Sequence, residues 1–209
     1  MSKKNLNQNA KYTQKFIDII EPNFIFSHKP INRFKTVQKN KNKCSNNKID
    51  ELSKLREKIN SIDNCILKNN SKNLVFGQGK IDSPLMLIGE APNEIEDNLG
   101  MAFQGETGAL LNKMLLAIGI LKEKTYLTFS INYRPPEDRK PTTQEIKRYS
   151  KFLKQHITII NPKIIILLGS TAMEAVTGSN NKISEERGKW KEIILENKTF
   201  PIMITFSPS

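Results

Sequence analysis

The chain has 209 residues, 37% of them hydrophobic, and a formal net charge of +12. That size and apolar content fit one globular domain plus a tail rather than two full domains. No apolar run approaches the roughly 18–20 residues of a membrane span, and the start, MSKKNLNQNAKYTQ, lacks the apolar core of a secretory signal. A cytoplasmic protein with no membrane partner is expected.

The positive charge is unevenly spread. Residues 1–60 carry 14 Lys/Arg against 5 Asp/Glu, and residues 61–209 carry 19 against 16. The excess suits attraction to nucleic acid. A genome rich in Lys, Asn and Ile codons would give the same tail, and composition does not decide between the two. Residues 1–60 read as a basic, Lys/Asn-rich extension and linker, and residues 61–209 as the folded domain. Within the extension, KYTQKFIDIIEPNFIF (11–26) has helix-like apolar spacing up to Pro22. Residues 35–49 are polar and low in complexity, which predicts a flexible linker. DELSKLREKIN (50–60) predicts a charged helix with Asp50 as N-cap. Cys44 lies in the polar tract, so no structural disulfide with Cys65 is expected. Two cysteines and two histidines cannot by themselves form a four-ligand metal site.

From Ser61 onward strand and helix patterns alternate. A first strand is predicted at 84–88. A helix follows Thr107, with Ala109, Leu110, Leu111, Met114, Leu115 and Ile118 on its apolar face, and stops at Gly119. A second strand spans Tyr126–Ile131. A helix over about Thr143–Ile160 is capped by Thr142 or Thr143, with Glu145 near its positive end. KIIILLG (163–169) reads as a strand buried on both faces. Ser170 opens a short helix ending near Gly178, and FPIMITF (200–206) is the fourth strand. This order predicts a three-layer α/β/α fold around a four-stranded parallel sheet. Ligands of such sheets bind beyond the carboxyl ends of the strands, which here means loops 89–106, 132–141, 169–171 and 207–209.

The first loop begins Gly89-Glu90-Ala91-Pro92. A carboxylate at a strand end can orient water or act as a base. An acidic loop taken alone is more often solvated charge, and Glu94, Glu96 and Asp97 read that way. Phe103 can wall a cleft or simply pack in the core. In the second loop, Arg134 and Arg139 suit phosphate contact; ion pairs with Glu137 and Asp138 are the competing reading. Gly169-Ser170 is a small-residue turn at a helix start, which can receive an anion or merely turn the chain.

Taken in order, these segments resemble the family 4 uracil-DNA glycosylases of bacteria. GEAPNEIEDNLGMAFQGETGALL (89–111) resembles the family's GE-A-P-G-x-x-E-D-x-x-G-x-P-F-x-G-x-x-G-x-L-L with its spacing intact. NYRPPEDR (132–139) is similar to K-x-R-P-P-G-N-R, and PKIIILLGSTA (162–172) to P-K-x-I-x-x-L-G-x-T-A. RGKW (187–190) and TFSPS (205–209) match R-G-x-W and T-F-H-P-S, the last with serine for histidine. The resemblance covers roughly residues 61–209.

It implies the α/β/α glycosylase fold and hydrolysis of the bond joining uracil to deoxyribose, after the nucleotide is flipped from DNA into a pocket. Glu90 takes the motif-one acidic position, associated with the attacking water. Phe103 takes the position of the ring that stacks on the base. Gly105, Gly169, Ser170, Arg134 and Arg139 fall where the flipped nucleotide and DNA phosphates are contacted. The implied partner is DNA, uracil-containing or single-stranded, and a monomer is expected.

The same resemblance exposes departures. Most family members hold a 4Fe-4S cluster through four cysteines. The corresponding positions here are Ile62, Cys65, Tyr133 and Tyr149, so no cluster is expected and packed aromatics would brace that region instead. Asn93 replaces a glycine, where its side chain would crowd the base while tolerating left-handed backbone. Phe129 stands at the asparagine that reads uracil's pairing edge. Ser207 stands at the histidine that steadies the leaving uracil. The chain ends at Ser209, where relatives continue into a leucine-containing segment and a basic helix. The alternative to a working glycosylase is an inactive remnant of its fold, or a protein retained to bind nucleic acid.

Overall fold

The computed structural model describes residues 3–20 and 42–209. Its elements run α1 (Lys3–Ile20), α2 (Asn42–Asn60), α3 (Ile66–Asn70), β1 (Gly77–Gly79), β2 (Leu85–Gly89), α4 (Glu94–Leu99) and α5 (Gly105–Ala117). There follow β3 (Tyr126–Phe129), α6 (Thr143–Ile160), β4 (Ile164–Leu168), α7 (Ser170–Thr177), α8 (Ile183–Glu186), β5 (Trp190–Leu195) and β6 (Lys198–Thr205). The sheet has six strands in the order β1-β3-β2-β4-β6-β5. The four central strands β3, β2, β4 and β6 are mutually parallel, as the alternating pattern predicts. The edge strands β1 and β5 are antiparallel to their neighbours, and both are additions to the four-stranded expectation. GQG has no β-formers and WKEIIL is a short hairpin arm half exposed at the sheet edge, so neither carries a strong period.

Alternate residues of each central strand enter opposite layers, which is what buries both faces. Met86, Ile88, Ile165, Leu167, Ile202 and Ile204 face α6, α7 and α2. Leu85, Leu87, Leu127, Ile164 and Leu168 face α5. Helix α6 begins with a reciprocal cap: Thr142 Oγ1 accepts from the Glu145 N–H, and Glu145 accepts from the Thr142 N–H. On α5 only Gly108, Leu111 and Leu115 are buried, while Leu110, Met114 and Ile118 are exposed. The helix touches the sheet along a single i, i+3, i+7 ridge, narrower than the face predicted for it.

The N-terminal part departs most from its reading. Residues 42–49, expected in a flexible linker, are helical, and α2 packs on α6 through Leu52, Leu55 and Ile59. Asp50 is therefore interior to that helix rather than its cap. The core thus draws on residues before Ser61. Helix α1 lies against β5, with Tyr12 5.8 Å and Phe16 6.3 Å from the Trp190 ring. Residues 21–26 and 35–41, and the side chain of Cys44, lie outside the described residues. Among the described residues no helix is long and apolar enough to cross a membrane.

Candidate active site

Because β2, β3, β4 and β6 are parallel, Gly89, Phe129, Leu168 and Thr205 end at one edge of the sheet. A cleft of about 370 Å³ opens there, lined among others by Glu90, Phe103, Phe129, Lys140, Ser170 and Ser207. Asn93, Glu96 and Arg139 also border it, whereas Arg134 does not.

Glu90 follows β2 directly, and its carboxylate turns toward the start of α7. Its Oε1 accepts the Thr171 N–H at 2.9 Å and the Ser170 hydroxyl at 3.3 Å. A helix N-terminus favours a negative charge at this place. Gly169 makes the seat possible. Its φ is +101°, and a Cβ there would stand 2.3 Å from Glu90 Cδ. The turn read as an anion receptor thus already receives an anion, and that anion is the chain's own carboxylate. Lys140 Nζ donates to Ser170 Oγ at 2.9 Å, so an ammonium, a hydroxyl and a carboxylate stand in a row. The sequence reading missed Lys140; its place one residue beyond the RPPEDR segment was the available signal.

Phe103 adopts a left-handed backbone, φ +52°, unusual for a bulky side chain. Such strain costs about 1–3 kcal/mol and persists only where surroundings enforce it. Here Lys122 Nζ donates to its carbonyl at 3.0 Å. That carbonyl also lies so close to Gly108 that any Cβ there would overlap it, at 1.9 Å. Gly105, with φ +65°, then turns the chain into α5, and a side chain there would meet Ile95. The Phe103 ring stacks on Phe129, centroids 4.8 Å apart and planes 26° off parallel.

The acidic loop is not solvated as read. Glu96 and Asp97 are each 2% exposed. Asn93 caps α4: its Oδ1 accepts the Glu96 N–H at 3.0 Å, and Glu96 accepts the Asn93 N–H at 2.9 Å. The other Glu96 oxygen accepts the Gln104 N–H at 3.2 Å, tying both ends of the loop together. Burial pushes the Glu96 carboxyl above its usual range, opposed by these backbone N–H groups, that of Phe103 and the charge of Lys122. Asn93 has φ −91°, so it is extended rather than left-handed, and its amide is spent on the cap. Asp97 accepts the N–H groups of Lys72 and Asn73 at 3.0–3.1 Å. Glu94 is exposed but reaches Arg134 at 3.3 Å.

Both arginines are held by carboxylates. Arg134 pairs with Asp138 at 2.8 Å as well as with Glu94. Arg139 makes two parallel bonds to Glu145, at 2.7 and 2.8 Å, which hold that carboxyl down at about 2. The Glu145 partner was not foreseen, since its role was read only as a helix-start charge. Ser207 is half-buried, and its Oγ lies 2.5 Å from Ser209 Oγ.

The four positions aligned with cluster ligands do meet in space. Cys65 Sγ lies 3.2 Å from the Tyr149 hydroxyl, the Tyr133 and Tyr149 rings are 6.4 Å apart, and Ile62 packs on the same core. Burial raises both phenols well above their ordinary values. One thiol, two phenols and an aliphatic chain do not fit a group that needs four thiolates. Among the described residues there is no set of three or more His, Cys, Asp or Glu side chains able to hold a metal ion.

A family description for the uracil DNA glycosylase superfamily matches residues 76–209. The chain belongs to that superfamily. It is 36% identical over 154 residues to the type-4 uracil-DNA glycosylase of Thermotoga maritima, covering 73% of this chain and 79% of that one. Type-4 uracil-DNA glycosylases of Pyrobaculum aerophilum and Sulfurisphaera tokodaii are 32% and 35% identical, covering 76% and 77% of this chain and 83% and 79% of theirs. The α/β fold is that of the uracil-DNA glycosylase superfamily, and DNA is the partner class that membership brings.

Proposed function

We propose that the cleft receives a nucleotide flipped out of DNA and hydrolyses its base–sugar bond, with uracil as the base. The observation that carries this reading is Glu90, fixed at the cleft floor by the Thr171 N–H and Ser170. Its free oxygen accepts a hydrogen bond from the attacking water. The water oxygen bonds to C1′ as the bond from C1′ to the base breaks, and the electron pair leaves with the uracil. The water proton passes through Glu90 to solvent, and the uracil anion is protonated on release. Lys140 and the Ser207 hydroxyl are among the polar groups that line the cleft and could donate to this developing charge. The family resemblance assigns the approach of the strand to Gly105, Gly169 and Ser170, of which Ser170 lines the cleft, and Arg134 and Arg139 serve DNA only by exchanging their carboxylate partners for phosphate.

The protein acts as a cytoplasmic monomer on uracil-containing or single-stranded DNA, without an iron–sulfur cluster. Protein purified anaerobically is expected to show no visible iron–sulfur absorption; such a band would overturn the cluster-free reading. The central test is uracil release from single- and double-stranded DNA. Release abolished by Glu90→Ala is expected. No release from the unaltered protein sinks the hydrolytic reading. The second reading, DNA binding without turnover, is favoured by Phe129 and Ser207, which replace two polar groups the reaction uses. Salt-dependent binding with no base release would establish it.

A further inference from the structure

We infer that Phe129 is the chain's own occupant of the base slot: its ring lies on the face of Phe103 where a flipped base would stack. The inference rests on the reading of the cleft as a base-flipping site. A base inserted between two rings needs them about 7 Å apart, two contacts of about 3.5 Å. The observed separation is 4.8 Å, so nothing fits between them. Nor does either ring offer an outer face, since Phe103 is 1% and Phe129 4% exposed. The two aromatic surfaces of the site are spent on each other.

The backbone beneath explains why Phe129 settles there. Gly89 and Phe129 are partners across the β2–β3 ladder. Gly89 has no side chain, and a Cβ on it would stand 2.7 Å from Phe129 and 2.8 Å from Phe103. The Phe129 ring drops into that gap. On the other side, the left-handed backbone of Phe103 is pinned by Lys122 and by close packing on Gly108, so its Cα cannot shift away from the slot. The side chain that must move to admit a base is therefore Phe129. Base entry competes with an internal stack, and the slot opens when position 129 carries a smaller side chain.

The test reads base stacking without needing turnover. Single-stranded oligonucleotides carrying either 2′-fluoro-2′-deoxyuridine or a tetrahydrofuran abasic analogue at one position are titrated by fluorescence anisotropy. For the unaltered protein the two dissociation constants should agree within about twofold, because the base finds no ring. With Phe129→Ala, and with Phe129→Asn as a second variant, the base-bearing strand should bind about 5- to 150-fold more tightly, the range of base–aromatic stacking. Adding Phe103→Ala should erase the gain. A preference of that size in the unaltered protein, or none in either folded variant, overturns the inference. Absence of strand binding by every form at low salt would instead refute the base-flipping reading itself.

Discussion

Replacing Gly169 by alanine puts a methyl group where the Glu90 side chain lies. Two costs follow. A φ of +101° with ψ 167° belongs to a region nearly confined to glycine, and alanine held there costs about 1–3 kcal/mol. The new Cβ would also stand 2.3 Å from Glu90 Cδ and 2.7 Å from Oε1, so the carboxylate must leave. It then loses the Thr171 N–H, and hydrogen bonds to charged groups are worth about 1.5–3 kcal/mol. The sum is about 2.5–6 kcal/mol, a fall in Tm of roughly 5–24 °C for a chain of this length. With Glu90→Ala already in place, the second cost disappears and only the backbone cost remains. Urea unfolding of the four proteins in this cycle should show a coupling of about 1.5–3 kcal/mol. Equal destabilisation by Gly169→Ala with and without the carboxylate would refute the seat described for Glu90.

Three other outcomes are expected. His156 is buried with its Nε2 2.7 Å from the Tyr126 hydroxyl, and burial holds its imidazole down at about 3. The unfolded chain takes up that proton below about 6.5, so stability should fall as pH drops from 6.5 toward 3, by up to about 1.4 kcal/mol per unit. Glu145, held low, loses its contribution only below about 4.5, and Glu96, held high, pulls the other way. Glu96 can act in the same window, so the histidine's share is the part of the pH 7 to 5 difference in urea midpoint that His156→Gln removes. Asp97→Ala leaves the N–H groups of Lys72 and Asn73 without their acceptor, and should cost about 2–4 kcal/mol in chemical unfolding; a change under about 0.5 kcal/mol would show that the loop is held otherwise. Phe129→Asn with Ser207→His restores an edge reader, worth about 1–3 kcal/mol, and a leaving-group donor worth about 10²–10³ in rate. Uracil release should rise at least a hundredfold, and no rise would place the limiting step elsewhere.

The central strands were legible because IIILL and LMLI are buried on both faces and leave no competing pattern. Edge strand β1 was not, since three residues reading GQG owe their pairing to β3 and nothing to propensity. Of helix α2 the second half, 50–60, was legible, but its first half was hidden by the polar run that opens it, and its core contacts through Leu55 and Ile59 are tertiary. In the site, motif spacing placed Glu90, Phe103, Phe129, Asn93, Ser170 and Ser207 around one cleft. What spacing could not give was direction. Nothing in the letters says that Glu96 turns inward to two backbone N–H groups, or that Arg139 turns to Glu145. Those choices depend on which donors folding leaves unpaired.

Trp190 is the chain's one tryptophan, and it sits beneath Tyr12 and Phe16 of α1 rather than beside the cleft. Its emission therefore reports whether the N-terminal helix is docked on β5. A shift of that emission at low denaturant, ahead of the far-ultraviolet signal of the sheet and helices, would measure the helix's attachment separately from the rest of the fold. One indole thus gives an optical report on the docking of α1, with no label added.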